Sequence, residues 1–301
     1  LNGGLFGGGV AYGAYFAGGY TGAANVTTVD KFAFSDDSRT TLGTGLSVAR
    51  QALAGAANAG IAAYFAGGEA PLVATVDKFA FSDDSRTTLA TGLSTVRMAL
   101  AGAANSGTAA YFAGGWEGPV ATVDKFAFSD DSRTTLGTGL SSARRFLAGA
   151  ANSGTAAYFA GGLGPVSTVD KFAFSDDSRT TLGTGLSAST YYGAGTANSG
   201  TAAYFASIGS SAGGAQSTVN KFAFSDDSRT TLATGLSAAR RLLAGASNSG
   251  TAAYFAGGLE SVNVTTVDKF AFSDDGRTTL GTGLSSARQT LAGAANSETL
   301  A

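Results

Sequence analysis

Residues 101–140 read AGAANSGTAAYFAGGWEGPVATVDKFAFSDDSRTTLGTGL, and the rest of the chain repeats this stretch almost verbatim. Its anchor, VDKFAF (VNKFAF once), places its second residue at Asp30, Asp77, Asp124, Asp170, Asn220 and Asp268, with spacings of 47, 47, 46, 50 and 48. Six copies at a period near 50 residues indicate a ring or an array of one unit, not two unrelated domains. Residues 1–301 are therefore read as a single domain.

Each unit holds four short segments of aromatic, Val, Thr or small apolar residues, separated by NSG, GG and SDDSR turn signals. That pattern predicts four strands per unit joined by tight turns. In TVDKFAF the side chains alternate, so Asp124, Phe126 and Phe128 share one face while Val123, Lys125 and Ala127 share the other. FAF and YFA together account for 18 of the 20 Phe, leaving Phe6 and Phe146 outside the framework. Large Phe faces opposite small Ala and Gly faces suit sheets packed face to face around a ring.

The AYFAGG strand ending in a double glycine, the later VDKFAF strand, a hairpin, and an Arg just before the next strand resemble the kelch repeat of β-propellers. The resemblance spans nearly the whole chain, with one departure: Thr134, Thr135 and Leu136 stand where kelch repeats carry a fourth-strand Trp. SDDSRTTL also resembles the Asp box of sialidases, with Ser129, Asp131 and Thr135 matching and Arg133 and Leu136 departing. The expected fold is all-β: a six-bladed β-propeller with four antiparallel strands per blade. The chain opens near a second strand, Gly13 to Gly19, and finishes with a first strand, Arg288 to Asn296, so the C-terminal strand is expected to close the ring. An open array is the alternative.

Composition excludes much chemistry. With no Cys and no His, thiol catalysis, disulfides, Cys/His zinc sites and the Ser-His-Asp triad are impossible, as is the His- and Cys-ligated copper site of another kelch-type propeller. No cofactor and no metal is expected. Calcium on Asp pairs such as Asp130 and Asp131 would need six or more oxygen ligands, which one hairpin hardly provides. A formal charge of −2 offers no basic field for nucleic acid. The longest uncharged stretches are Gly- and Asn-containing paired strands, so no membrane insertion is expected. The start at Leu1, without Met or a basic leader, suggests a piece of a larger parent protein.

The functional expectation comes from where the six copies differ. One variable set follows the double glycine and holds Glu69, Trp116, Glu117 and Glu260. The other is the pair after the recurring Arg: Gln51/Ala52, Met98/Ala99, Arg145/Phe146, Tyr191/Tyr192, Arg241/Leu242 and Gln289/Thr290. In a four-stranded blade both loops emerge on one face of the ring, whereas the opposite SDDSR turns barely change. Glu69, Trp116, Glu117, Arg145, Phe146, Tyr191, Tyr192, Arg241 and Glu260 are thus the candidate ligand-binding residues, with exposed Trp116 and the Tyr191/Tyr192 pair as anchors. Arg50, Arg97, Arg144, Arg240 and Arg288 either bond to neighbouring-blade carbonyls or form a basic ring at the channel mouth. The Asn residues of NSG are read as turn formers only, and the NVT sequons at Asn25 and Asn263 matter only in a secretory path.

The chain is therefore expected to be a non-catalytic binding module for a cell-surface glycan or protein, capable of self-assembly. Its Gly-, Ser-, Thr- and Ala-rich repeats resemble those of bacterial surface proteins and tailed-phage appendages, which implies an extracellular, cell-surface or virion location. The alternatives are a structural ring in a filament, fibre or virion, and a sialidase-like glycosidase using the few Glu residues.

Overall fold

A computed structural model describes residues 12–69, 71–164, 166–207 and 214–297. It holds 24 strands in six four-stranded antiparallel sheets, arranged as the blades of a closed ring. Phe6 and Glu298 lie outside the described residues, as does Ile208.

Blade 3 shows the plan. Its strands are Ala101–Asn105, Ala109–Ala113, Val123–Ala127 and Arg133–Thr135, from the ring axis outward. The outer strand is shorter than the TTLGTGL reading, and it begins at the hairpin Arg. Asp124 pairs with Phe112 on one side and Thr135 on the other, so the register places the carboxylate between two strands. Ala101 and Ala103 are buried toward blade 4 and Ala104 packs toward blade 2, so both faces of the strand meet a neighbour, while Gly102 lines the channel.

The second strand is buried at all five positions, because both of its faces meet a neighbouring blade. Phe112 points back toward blade 2, packing with Tyr64, Val76 and Phe126, while Tyr111 points forward toward blade 4 among Phe159 and Phe172. Phe112 and Phe126 meet edge to face at 5.9 Å, and Tyr64 and Phe128 lie tilted by 35° at 5.1 Å. Asp124, Phe126 and Phe128 therefore do share one face. Six clusters of this kind, one per blade junction, replace a single central core.

The ring closes through the C-terminal strand. Ala292–Asn296 is the inner strand of blade 1 and pairs antiparallel with Gly13–Ala17, from Gly13 opposite Asn296 to Ala17 opposite Ala292. The open array is thereby overturned, since the inner strands form a continuous circuit from blade to blade.

Candidate functional site on the channel mouth

The double glycine builds the base of the variable face. Gly114 (φ 65°) and Gly115 (φ 119°) occupy the left-handed region. A Cβ on Gly114 would sit 2.6 Å from the Arg144 carbonyl oxygen, and one on Gly115 would sit 3.1 Å from Arg97 Cδ. Glycine is the residue that takes this conformation and this close approach to the arginine stems without strain, although Ser207 holds the same φ of 65° in blade 5.

Those arginines do not ring the channel. Arg50, Arg97, Arg240 and Arg288 are wholly buried and Arg144 is nearly so, each paired with the anchor carboxylate of its own blade. In blade 3 the Arg97 guanidinium lies 2.9 Å from Asp124 Oδ2 and donates to Phe112 O and Ser94 Oγ. Asp124 accepts further bonds from Ser94 N and Oγ and from Thr135 Oγ1. Burial alone would push the carboxyl of Asp124 up. The hydroxyls, the amide and the guanidinium outweigh it and hold the group below the usual carboxylate range, as they do for Asp30, Asp77 and Asp268. The basic mouth ring expected of this set is thus corrected, while the structural reading is corrected only in its blade, since each guanidinium bonds a carbonyl of its own blade rather than a neighbour's. The hairpin arginines make that carbonyl bond instead, Arg133 to Gly92 O and Arg86 to Gly45 O for example.

The hairpin aspartates divide their labour. Asp130 accepts the Ser132 amide within its own turn, as expected of a turn former. Asp131, at φ 57°, reaches out of the blade to Tyr64 Oη at 2.8 Å and Lys78 Nζ at 2.7 Å in blade 2. Burial first, then acceptance by this carboxylate, raises the Tyr64 pKa. The same Tyr–Lys–Asp clasp recurs at all six junctions. On the same junctions the NSG asparagines are more than turn formers, since Asn105 Oδ1 accepts the Gly154 amide of the next blade. Among the described residues no three His, Cys, Asp or Glu side chains form a group able to hold a metal ion.

The pair after each arginine forms the mouth. Gln51 and Glu69 exchange backbone hydrogen bonds, as do Met98 and Trp116, so the two variable sets are physically adjacent. The second residue of each pair continues the circuit: Ala99 N donates to Ala52 O, Phe146 to Ala99, Tyr192 to Phe146, Leu242 to Tyr192, Thr290 to Leu242 and Ala52 to Thr290. All six are non-glycine residues with φ between 53° and 71°. Each holds a conformation costing roughly 1–2 kcal/mol for an L-residue, sustained by the closed hydrogen-bond cycle.

Side chains on this uniform backbone are unevenly distributed. Arg145 lays its guanidinium over Trp116 at 3.7 Å, and Phe146 stands beside it. Phe146 meets Tyr192 edge-on at 4.4 Å, and Tyr192 meets Tyr191 at 4.6 Å, with Arg241 5.6 Å from the Tyr192 ring. The structure thus brings together Trp116, Arg145, Phe146, Tyr191, Tyr192 and Arg241, from blades 3 to 6. Trp116 is half-buried rather than freely exposed, because Arg145 covers it. Glu69, Glu117 and Glu260 sit in the loops of blades 2, 3 and 6, no two sharing a loop. The mouth encloses about 110 Å³, floored by the six axis-facing glycines.

Met98, which pairs with Trp116, and Gln51, whose Oε1 accepts the Thr290 hydroxyl, belong to the same rim although sequence reading did not select them. Their signal was present, since both lie in the variable pair. The sequon residue Asn263 is already engaged, its Nδ2 donating to Tyr20 O. No protein-family model matches the chain, and no curated protein matches it in sequence.

Proposed function

We propose that this kelch-like propeller is a non-catalytic binding module that recognises a cell-surface glycan or protein with its channel-mouth face, in an extracellular, cell-surface or virion setting. The observation that carries the reading is the continuous aromatic and guanidinium patch from Trp116 to Tyr191. It is built only on positions that vary between blades, on a backbone that does not. Where blades 3, 4 and 5 place Trp116, Phe146 and Tyr192, blades 1 and 2 place Tyr20, Thr290, Glu69 and Ala52. Half-buried aromatic and Arg side chains are the residue types that dominate binding energy at interfaces, and strained non-glycine backbone concentrates at ligand sites. Each contact is shallow, so useful avidity comes from presenting several rings on one assembly or parent chain.

The test is binding of the purified ring to glycan arrays and to intact cells, with Tyr191→Ala and Tyr192→Ala alongside the wild type. Binding that falls at least tenfold in both variants, with melting temperature retained, is expected. No ligand on any surface, with the variants changing only self-assembly, sinks the proposal in favour of a structural ring. Hydrolysis of a model glycoside that vanishes in Glu117→Gln or Glu260→Gln would replace it with a glycosidase.

A further inference from the structure

Arg145 differs from the other arginines in what its guanidinium touches. The six hairpin arginines donate to neighbouring carbonyls, the five anchor arginines pair with aspartate, and Arg241 has a partner. Among the described residues the Arg145 guanidinium has only ring contacts, with Trp116 at 3.7 Å and Phe146 at 5.8 Å, and no oxygen accepts from its N–H groups. The guanidinium carbon sits over the indole ring, a contact that engages the cation without using its hydrogen-bond donors. This leaves the fork of N–H donors for a bidentate anion, and of the two biological groups that match the fork, carboxylate and phosphate, the carboxylate is the planar one.

Beside this fork lie Phe146, Tyr192 and Tyr191, whose rings suit the C–H face of a pyranose, with weakly positive hydrogens against negative ring faces. The mouth cavity of about 110 Å³ is well below the ~300 Å³ at which pockets begin to enclose a drug-sized ligand. The ligand is therefore held across the rim, one carboxylate on Arg145 and adjoining sugar on the aromatics. Resting on the reading of this face as a binding surface, we infer that the ligand is an acidic saccharide, a glycan whose terminal or repeating sugar carries a carboxylate.

Trp116, the only Trp of the chain, lies directly under Arg145 and reports on the site through its fluorescence. The experiment titrates the full chain with oligogalacturonate and with sialyllactose, each compared with its carboxyl-reduced neutral counterpart, in low and moderate NaCl. At least one acid form is expected to shift Trp116 emission and to bind tenfold or more tighter than its neutral counterpart. Its affinity should weaken with salt. Arg145→Gln should lower the acid form to the neutral level and remove the salt dependence while leaving the melting temperature unchanged, because among the described residues the side chain makes no hydrogen bond. Equal binding of acid and neutral forms, both lost in Tyr192→Ala, overturns the acidic class yet keeps the mouth as a glycan site. If neither form perturbs Trp116 while cell binding persists, the acidic saccharide is rejected and a protein ligand stands. Loss of cell binding as well rejects the proposed function itself.

Discussion

In blade 5 Thr190 stands where the other blades carry the buried arginine, and Asn220 where they carry its aspartate. Both are buried and neutral. Asn220 Oδ1 still accepts from Ser187 N, but its Nδ2 now donates to Thr231 Oγ1, the reverse of the aspartate bond, and Thr190 Oγ1 donates to the Ser207 carbonyl. The chain thus contains its own double substitution, in which both charges leave together. Removing one partner of a buried ion pair strands the other and costs about 3–5 kcal/mol, whereas removing both can be close to neutral. Arg97→Thr and Asp124→Asn are each expected to lose stability on that scale, and the double variant to recover more than half of it, as measured by urea unfolding in a double-mutant cycle. Additive losses would show that the pair carries no coupling. The co-occurrence of Thr and Asn in one copy was visible in the repeats, and pairing the two positions would have placed the arginine away from the channel mouth.

At the scale of the strand, the inner AGAAN segment is set by its neighbours rather than by its own propensity. A Cβ on Gly102 would fall on the Gly55 carbonyl, and one on Gly149 on the Gly102 carbonyl, all the way round. Gly102→Ala is therefore expected to lower stability by at least the ~1–3 kcal/mol of an overpacked core, since backbone must move to admit the methyl. Asn105→Ala, which removes one inter-blade bond to Gly154 N, should cost about 1 kcal/mol. Thermal denaturation of the two variants checks both, and an unaffected Gly102→Ala would contradict the close approach. Strand identity was legible because FAF and YFA alternate and turn signals punctuate them. The need for glycine rather than alanine at the axis was not, because it arises only when six strands converge. The rim was half legible: Trp116 and Phe146 stand out as departures from the repeat, but Trp116 and Arg145 meet across a blade junction that no single copy contains.

For the whole ring, stability against pH follows from many repeated groups shifting in the same direction. The carboxyls of Asp30, Asp77, Asp124 and Asp268 lie below their ordinary value, so their contribution is complete above the unfolded pKa of about 3.9 and drains as pH falls through the lower folded values. The junction tyrosines, Tyr15 and Tyr64 among them, are raised by burial and by their Asp acceptors, so their contribution is complete below about pH 10 and lost as pH rises beyond it. With no His to titrate between, melting temperature should be flat from pH 5 to 8 and fall at both extremes. A step near pH 6.5 in a calorimetric series would contradict this account. The hydrogen-bonded cycle at the mouth has one more consequence. Because Ala52, Ala99, Phe146, Tyr192, Leu242 and Thr290 share one backbone geometry, they act as interchangeable sockets, and specificity becomes an angular coordinate. Moving the Trp116, Arg145 and Phe146 side chains onto Glu69, Met98 and Ala99 should turn the recognition patch by one sixth of a revolution while the scaffold beneath it stays still.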